Sequence, residues 1–263
     1  NLIVDKRGNP YLTFGSFWDG IQLIKLSKKD FQTPVSKPVT ISRRIDREFT
    51  LDKIEFTQEG QNIIEAGPNA VEAPFIFKHG KYYYLFCSVG SCCEGENSTY
   101  RTVVGRSTKL AGPYVNKNGG TMINNNYTTI IKGNDRWKGP GHNSEIIVDD
   151  EGQTWLLYHS YDMNNGCNGR LMLLDKITWD RTDWPVINDG YPSSGEMEGP
   201  IFYSGNGANV TYKAYNTDLS KSQWKGWDVI ASEECDIVSG KGTAFMPFGR
   251  VTNEGATFDI SQT

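Results

Sequence analysis

Ile146-Ile147-Val148-Asp149-Asp150-Glu151-Gly152-Gln153-Thr154-Trp155-Leu156 is an apolar strand, a polar turn closed by glycine, and a second apolar strand. That pattern is a β-hairpin, with glycine supplying the positive-φ position of the turn. The same pattern occurs twice more. Leu2-Ile3-Val4-Asp5-Lys6-Arg7-Gly8-Asn9-Pro10-Tyr11-Leu12 precedes it, and Phe75-Ile76-Phe77-Lys78-His79-Gly80-Lys81-Tyr82-Tyr83-Tyr84 lies between. Gly8, Gly80 and Gly152 are equally spaced along the chain, and at the same offset beyond each stands a serine, Ser16, Ser88 or Ser160. Two markers that share one period across three copies define a repeat.

Each hairpin is followed by further strand-like sequence, such as Ile21-Gln22-Leu23-Ile24-Lys25-Leu26, Thr102-Val103-Val104-Gly105-Arg106-Ser107 and Arg170-Leu171-Met172-Leu173-Leu174. Turn signals at Ala111-Gly112-Pro113 and Trp184-Pro185 punctuate them. Three to four strands per repeat with little helical periodicity is the signature of β-propeller blades. The expected fold is all-β, with residues 1–202 forming about three blades with inner hairpins near 2–15, 74–87 and 145–159. Three blades do not close a ring, because propellers use about four to eight. The remaining blades are therefore expected from a segment N-terminal to this chain. Residues 30–70 read as outer strands plus an exposed loop. From about residue 203 the rhythm of the repeat stops, and residues 203–263 are expected to form a C-terminal β segment, either a cap or the start of an accessory sandwich.

Composition narrows the function classes. The chain has 263 residues and a formal net charge of −4, and its basic residues make only local clusters such as Arg43, Arg44 and Arg47. Nucleic acid is disfavoured as a partner, whereas a neutral polysaccharide needs no charge match. No apolar run approaches the roughly 20 residues that a spanning helix requires. Asn1 is neither an initiator Met nor the start of a signal peptide, so a trimmed or mature chain is expected. Seven Trp and thirteen Tyr suit both β cores and surfaces that stack on sugar rings. The five cysteines, Cys87, Cys92, Cys93, Cys167 and Cys235, fit no zinc spacing and are odd in number. Asn97-Ser98-Thr99, Asn126-Tyr127-Thr128 and Asn209-Val210-Thr211 are acceptor triplets for N-glycosylation in a eukaryotic secretory route.

In a propeller the start of each inner strand faces the mouth of the central channel. In the second repeat that place holds Val71-Glu72-Ala73-Pro74. Small and apolar neighbours offer Glu72 no cation, so burial is expected to raise its pKa and keep it protonated, as a general acid requires. A loop glutamate in solvent is the alternative. In the third repeat the place holds Gly141-His142-Asn143-Ser144. His142 there would bind a metal, position a sugar, or satisfy a loop hydrogen bond. Glycoside hydrolysis normally needs two carboxylates, and this pattern offers one.

Tyr11-Leu12-Thr13-Phe14-Gly15-Ser16-Phe17-Trp18-Asp19-Gly20-Ile21, Val71-Glu72-Ala73-Pro74-Phe75, Ser91-Cys92-Cys93 and Gly139-Pro140-Gly141-His142-Asn143-Ser144 follow one another in that order. Together they closely resemble the endo-α-1,5-L-arabinanases of glycoside hydrolase family 43, over roughly residues 1–200. The resemblance implies a five-bladed propeller and an inverting, single-displacement hydrolysis of arabinan. It places the general acid on Glu72 and a bound cation, usually calcium, beside His142. Sugar-cleft contacts fall on Ser16, Phe17 and Trp18, and Ser88, the second-repeat counterpart of Ser16, is grouped with them. The family's Asp general base and its pKa-tuning Asp have no counterpart in this sequence and would be supplied from upstream. Cys92 and Cys93 would form a vicinal disulfide or remain two buried thiols. Secretion is expected. Two other readings stay open: an exo-acting arabinofuranosidase or xylosidase, and a noncatalytic carbohydrate-binding protein.

Overall fold

Gly8, Gly80 and Gly152 have φ of +74°, +52° and +75°, and a Cβ on Gly80 or Gly152 would meet nothing within 4 Å. These turns need glycine for its backbone freedom alone. The computed structural model describes residues 1–15, 20–44 and 70–202, and also, as backbone strands, 54–56, 62–64, 237–238, 241–246 and 249–252. Among them there is no α-helix. Contacts divide the chain into two units, Asn1–Phe202 and Tyr203–Thr263.

In the first unit, each repeated hairpin forms the start of a sheet. β1 (Leu2–Val4), β2 (Pro10–Phe14), β3 (Ile21–Lys25) and β4 (Val39–Ser42) form an antiparallel meander in that order. β5 (Ile54–Phe56) and β6 (Asn62–Ile64) make a separate two-stranded pair. The second blade is β7 (Val71–His79), β8 (Tyr82–Val89), β9 (Arg101–Ser107) and β10 (Thr128–Ile131), again in meander order. In the third, β11 (Trp137–Gly141) and β12 (Ile146–Val148) both pair with β13 (Thr154–Asp162), which is followed by β14 (Arg170–Trp179) and β15 (Pro185–Val186). In the second unit β16 (Ile237–Val238), β17 (Lys241–Met246) and β18 (Gly249–Thr252) form an antiparallel sheet.

The period of two along β8 explains how the blades stack. Tyr83, Leu85, Cys87 and Val89 face one way and share a core with Ile21, Leu23 and Ile41 of the first blade. Tyr84 and Phe86 face the other way and share a core with Ile146, Leu156, Tyr158 and Ile177 of the third. A strand buried on both faces reads as a continuous apolar run, and Tyr82-Tyr83-Tyr84-Leu85-Phe86-Cys87 is one. The described blades are thus sheets packed face to face, the arrangement of an all-β propeller. On the first blade Leu2, Val4, Leu12 and Phe14 alternate with inward Ile3 and Tyr11, and they remain 36–49% exposed. On the third, Met172 is 67% exposed.

One register differs from the repeat. Glu72 stands opposite Ser88, with a shift before Phe75. Opposite Ser160 in the third blade the shift lies between Lys138 and Gly141, so Gly139-Pro140, not His142, holds the strand position of Glu72. The inner strand breaks between β11 and β12, with His142 at φ +52°. This break, and not the period of the repeat, sets the direction of the histidine.

Candidate active site

Glu72 sits near the start of β7, where the strand bulges and Ala73 adopts φ +52°. Its side chain is 18% exposed, and the His142 side chain is 54% exposed. The Tyr100 hydroxyl donates to Glu72 Oε1 at 2.7 Å. His142 Nδ1 lies 3.4 Å from the same oxygen and 3.2 Å from the Tyr100 hydroxyl. Three blade elements therefore meet here: the inner strand of the second blade, the residue before β9, and the β11–β12 break.

The carboxyl responds in the direction opposite to the sequence expectation. The His142 hydrogen bond, with help from Tyr100, holds Glu72 below the usual glutamate range, against burial, which pushes it up. Val71, Ala73 and Pro74 do offer no cation, but the fold brings in a histidine and a phenol from distant parts of the chain. Burial pushes the Tyr100 phenol well above its ordinary range, with Glu72 adding to the effect, so Tyr100 stays protonated and acts as the donor.

Ser88 is fully buried, and its hydroxyl accepts the His142 backbone N–H at 2.8 Å. It ties the β11–β12 break to β8. The repeat marker at Ser88 and Ser160, both 0% exposed, thus has a structural part: where the Ser88 hydroxyl accepts, the Ser160 hydroxyl donates, to the Lys138 carbonyl at 2.8 Å. Gly141 completes the fit, because a Cβ there would fall 2.4 Å from the Tyr100 ring. Ser16, Phe17 and Trp18 lie outside the described residues. The flanking Gly15 and Gly20 have φ of +117° and +78°, and a Cβ on Gly15 would approach the Gly20 carbonyl to 2.7 Å.

Tyr100 and His159 were not singled out by the sequence. The His159 ring stacks on Tyr100 with centroids 5.9 Å apart and on His142 at 6.1 Å. Its Nε2 is 3.4 Å from Arg170 Nη1. Its one signal was adjacency to the Ser160 marker; Tyr100 had none. Cys92 and Cys93, between β8 and β9, are joined as a vicinal disulfide. Their loop is held by Ser98, whose hydroxyl donates to the Ser91 carbonyl at 2.7 Å.

Calcium takes six to eight oxygen ligands. Around His142 the converging oxygens are one carboxylate and one phenol, and they bond each other. No group of three His, Cys, Asp or Glu able to hold a metal occurs among the described residues. These residues by themselves do not fit a calcium shell, and no step below runs through a cation.

Burial, then Arg170 and His142, lowers His159 to about 4 from the ordinary 6.5. Between those values the unfolded chain binds the proton and the folded chain does not. Stability is therefore full above pH 6.5, falls as pH drops, and has lost its whole increment below pH 4. The shift corresponds to about 3 kcal/mol as an order of magnitude. Urea midpoints measured from pH 7 to pH 4 should fall in wild type and fall distinctly less in His159→Gln. Parallel profiles would show that His159 is not the group involved.

With this geometry in place, comparison with known proteins adds the lineage. The family model described as Glycosyl hydrolases family 43 matches residues 1–185. The chain belongs to that family. An extracellular exo-α-(1→5)-L-arabinofuranosidase of Cellvibrio japonicus is 37% identical over 189 residues, covering 72% of this chain and 50% of the relative. An extracellular endo-α-(1→5)-L-arabinanase of Bacillus subtilis is also 37% identical, over 187 residues, covering 70% and 48%. The crystal structure of an exo-1,5-α-L-arabinanase from a bovine ruminal metagenomic library superposes with a TM-score of 0.60 at 43% identity, over 72% of this chain and 56% of that one. This family 43 chain thus spans about half the length of the curated relatives it matches.

Proposed function

We propose that this family 43 chain is part of a secreted glycoside hydrolase that cleaves α-1,5-linked L-arabinofuranose polymers by inverting single displacement. The observation that carries the reading is the Glu72 carboxyl held by Tyr100 and His142 at the blade ends, in a chain whose relatives are named for that linkage. Glu72 protonates the glycosidic oxygen. Tyr100 and His142 fix its orientation. The carboxylate that activates water on the opposite face comes from outside this chain, about 6.5–9.5 Å away, as inversion requires. Further blades also suit the exposed apolar row Leu2, Val4, Leu12 and Phe14, which is a blade face without a neighbour among the described residues. Phe17 and Trp18 would stack on the sugar. A cation beside His142 would need oxygens beyond those described.

The test is product analysis on debranched arabinan with the protein carrying its complete ring of blades. Release of arabino-oligosaccharides supports endo action. Arabinose alone supports the exo reading, which the Cellvibrio relative favours. No cleavage, with retained binding of arabino-oligosaccharides, would leave a noncatalytic carbohydrate-binding protein.

A further inference from the structure

Two neighbouring loops at the acid's end of the blades carry four sulfur atoms. The loop between β8 and β9 holds the Cys92–Cys93 disulfide, with Cys92 half-buried and Cys93 exposed. The loop between β13 and β14 holds Met163 and the free Cys167, both half-buried. The Cys167 thiol donates to Met163 Sδ at 3.2 Å. The loops meet across the boundary of the second and third blades, since a Cβ on Gly95 would lie 4.0 Å from Cys167 Cβ. Tyr100 links this surface to the acid. Its backbone N–H donates to the Ser91 carbonyl at 3.2 Å, and its hydroxyl donates to Glu72.

The disulfide adds little to stability. A disulfide restrains the unfolded chain more the longer the loop it closes, and one between adjacent residues closes almost none. The loop is held by other bonds. Ser98 donates to the Ser91 carbonyl at 2.7 Å, the Ser91 N–H donates to Thr99 Oγ1 at 3.0 Å, and the Asn97 N–H donates to the Glu94 carbonyl at 3.0 Å. What the bond does change is the surface. It turns two thiol donors into one polarisable apolar unit in a fixed place. Glu94 and Glu96 beside it are exposed, which disfavours an anionic polymer and suits a neutral one. Asn164, Asn165 and Asn168, exposed on the facing loop, offer amide donors and acceptors to hydroxyl groups. An apolar floor edged by a few polar groups is the usual make-up of a ligand site.

We propose that the Cys92–Cys93 disulfide, with Cys167 and Met163 beside it, is a platform on which one ring of a neutral polysaccharide packs its C–H face, in a subsite away from the bond that Glu72 cleaves. The inference rests on the polysaccharide reading above. It adds a binding position that only a long substrate reaches, because a chain lying over Glu72 must extend past Tyr100 to meet the sulfurs.

The test is calorimetric titration of the full-length protein with arabinobiose, arabinohexaose and xylohexaose. Wild type should bind arabinohexaose more tightly than arabinobiose. The ratio of the two affinities should fall about tenfold in the double variant Cys92→Ser, Cys93→Ser, since roughly 55 Å² of apolar contact is worth that factor. It should fall less, but measurably, in Met163→Gln, which leaves the Tyr100 loop untouched. Urea midpoints of both variants should stay near wild type. An unchanged ratio in both variants overturns the platform. Equal weakening of hexaose and biose also overturns it, because that marks a loosened Tyr100 loop. A fall in the double variant alone overturns the part given to Met163. A wild type that binds neither hexasaccharide overturns the platform outright. A wild type that binds xylohexaose and not arabinohexaose, and loses xylohexaose in both variants, counts against the arabinan reading and leaves the platform standing.

Discussion

Glu72→Gln should lower hydrolysis of unactivated arabinan by about 10²–10⁴, the usual worth of general acid catalysis. Glutamine keeps the shape and still accepts from Tyr100, but it carries no transferable acid proton. The loss should be much smaller on an aryl arabinoside, whose leaving group departs with little protonation. Steady-state rates of wild type and variant on both substrates separate the cases. Equal losses on the two, or full activity on arabinan, would show that Glu72 does something other than donate a proton. The structure adds a condition. Within this chain His142 and Tyr100 favour the ionised carboxyl, which is the wrong form for an acid. Under the proposed function, a second carboxylate brought near Glu72 would oppose ionisation and move the pKa up again.

Phe86→Ala should destabilise the protein by about 3–5 kcal/mol, the range for a buried phenylalanine cut to alanine. Phe86 is 0% exposed. It lies in the core shared by the second and third blades, with Tyr84, Val104, Ile131 and Leu156 around it. Neighbours held on two sheets cannot collapse freely into the gap, so the cavity cost adds to the lost transfer energy. Phe86→Leu should cost far less, since most of the volume remains. Urea denaturation of the three proteins measures both. A cost under about 1 kcal/mol for the alanine variant would mean that the two blades do not share a core at this point.

Much of the fold is legible along the chain. The glycines at 8, 80 and 152 mark hairpins because only a turn at positive φ demands that residue, and a turn is a local event. The alternation within β8 is also local, since side chains of a strand point to opposite faces in turn. Hairpins, strand runs and the all-β class follow from such short-range rules. So does the place of Glu72 at the start of an inner strand.

The environment of Glu72 is another matter. Its three sequence neighbours predicted a carboxyl raised by burial, and the fold lowers it through His142 and Tyr100, both remote from it along the chain. Ser88 carried the repeat marker and was grouped with the sugar contacts, yet it is buried and holds the His142 backbone. The stretch Gly141-His142-Asn143-Ser144 was set at the place of Glu72 by the repeat, and a register shift moved it off that place. These outcomes share a cause. Strand formation depends on residues a few positions apart, so a single sequence declares it. A pKa, a hydrogen-bond partner or a register across strands depends on which distant groups the packed blades bring within about 3 Å, and only the tertiary structure decides that.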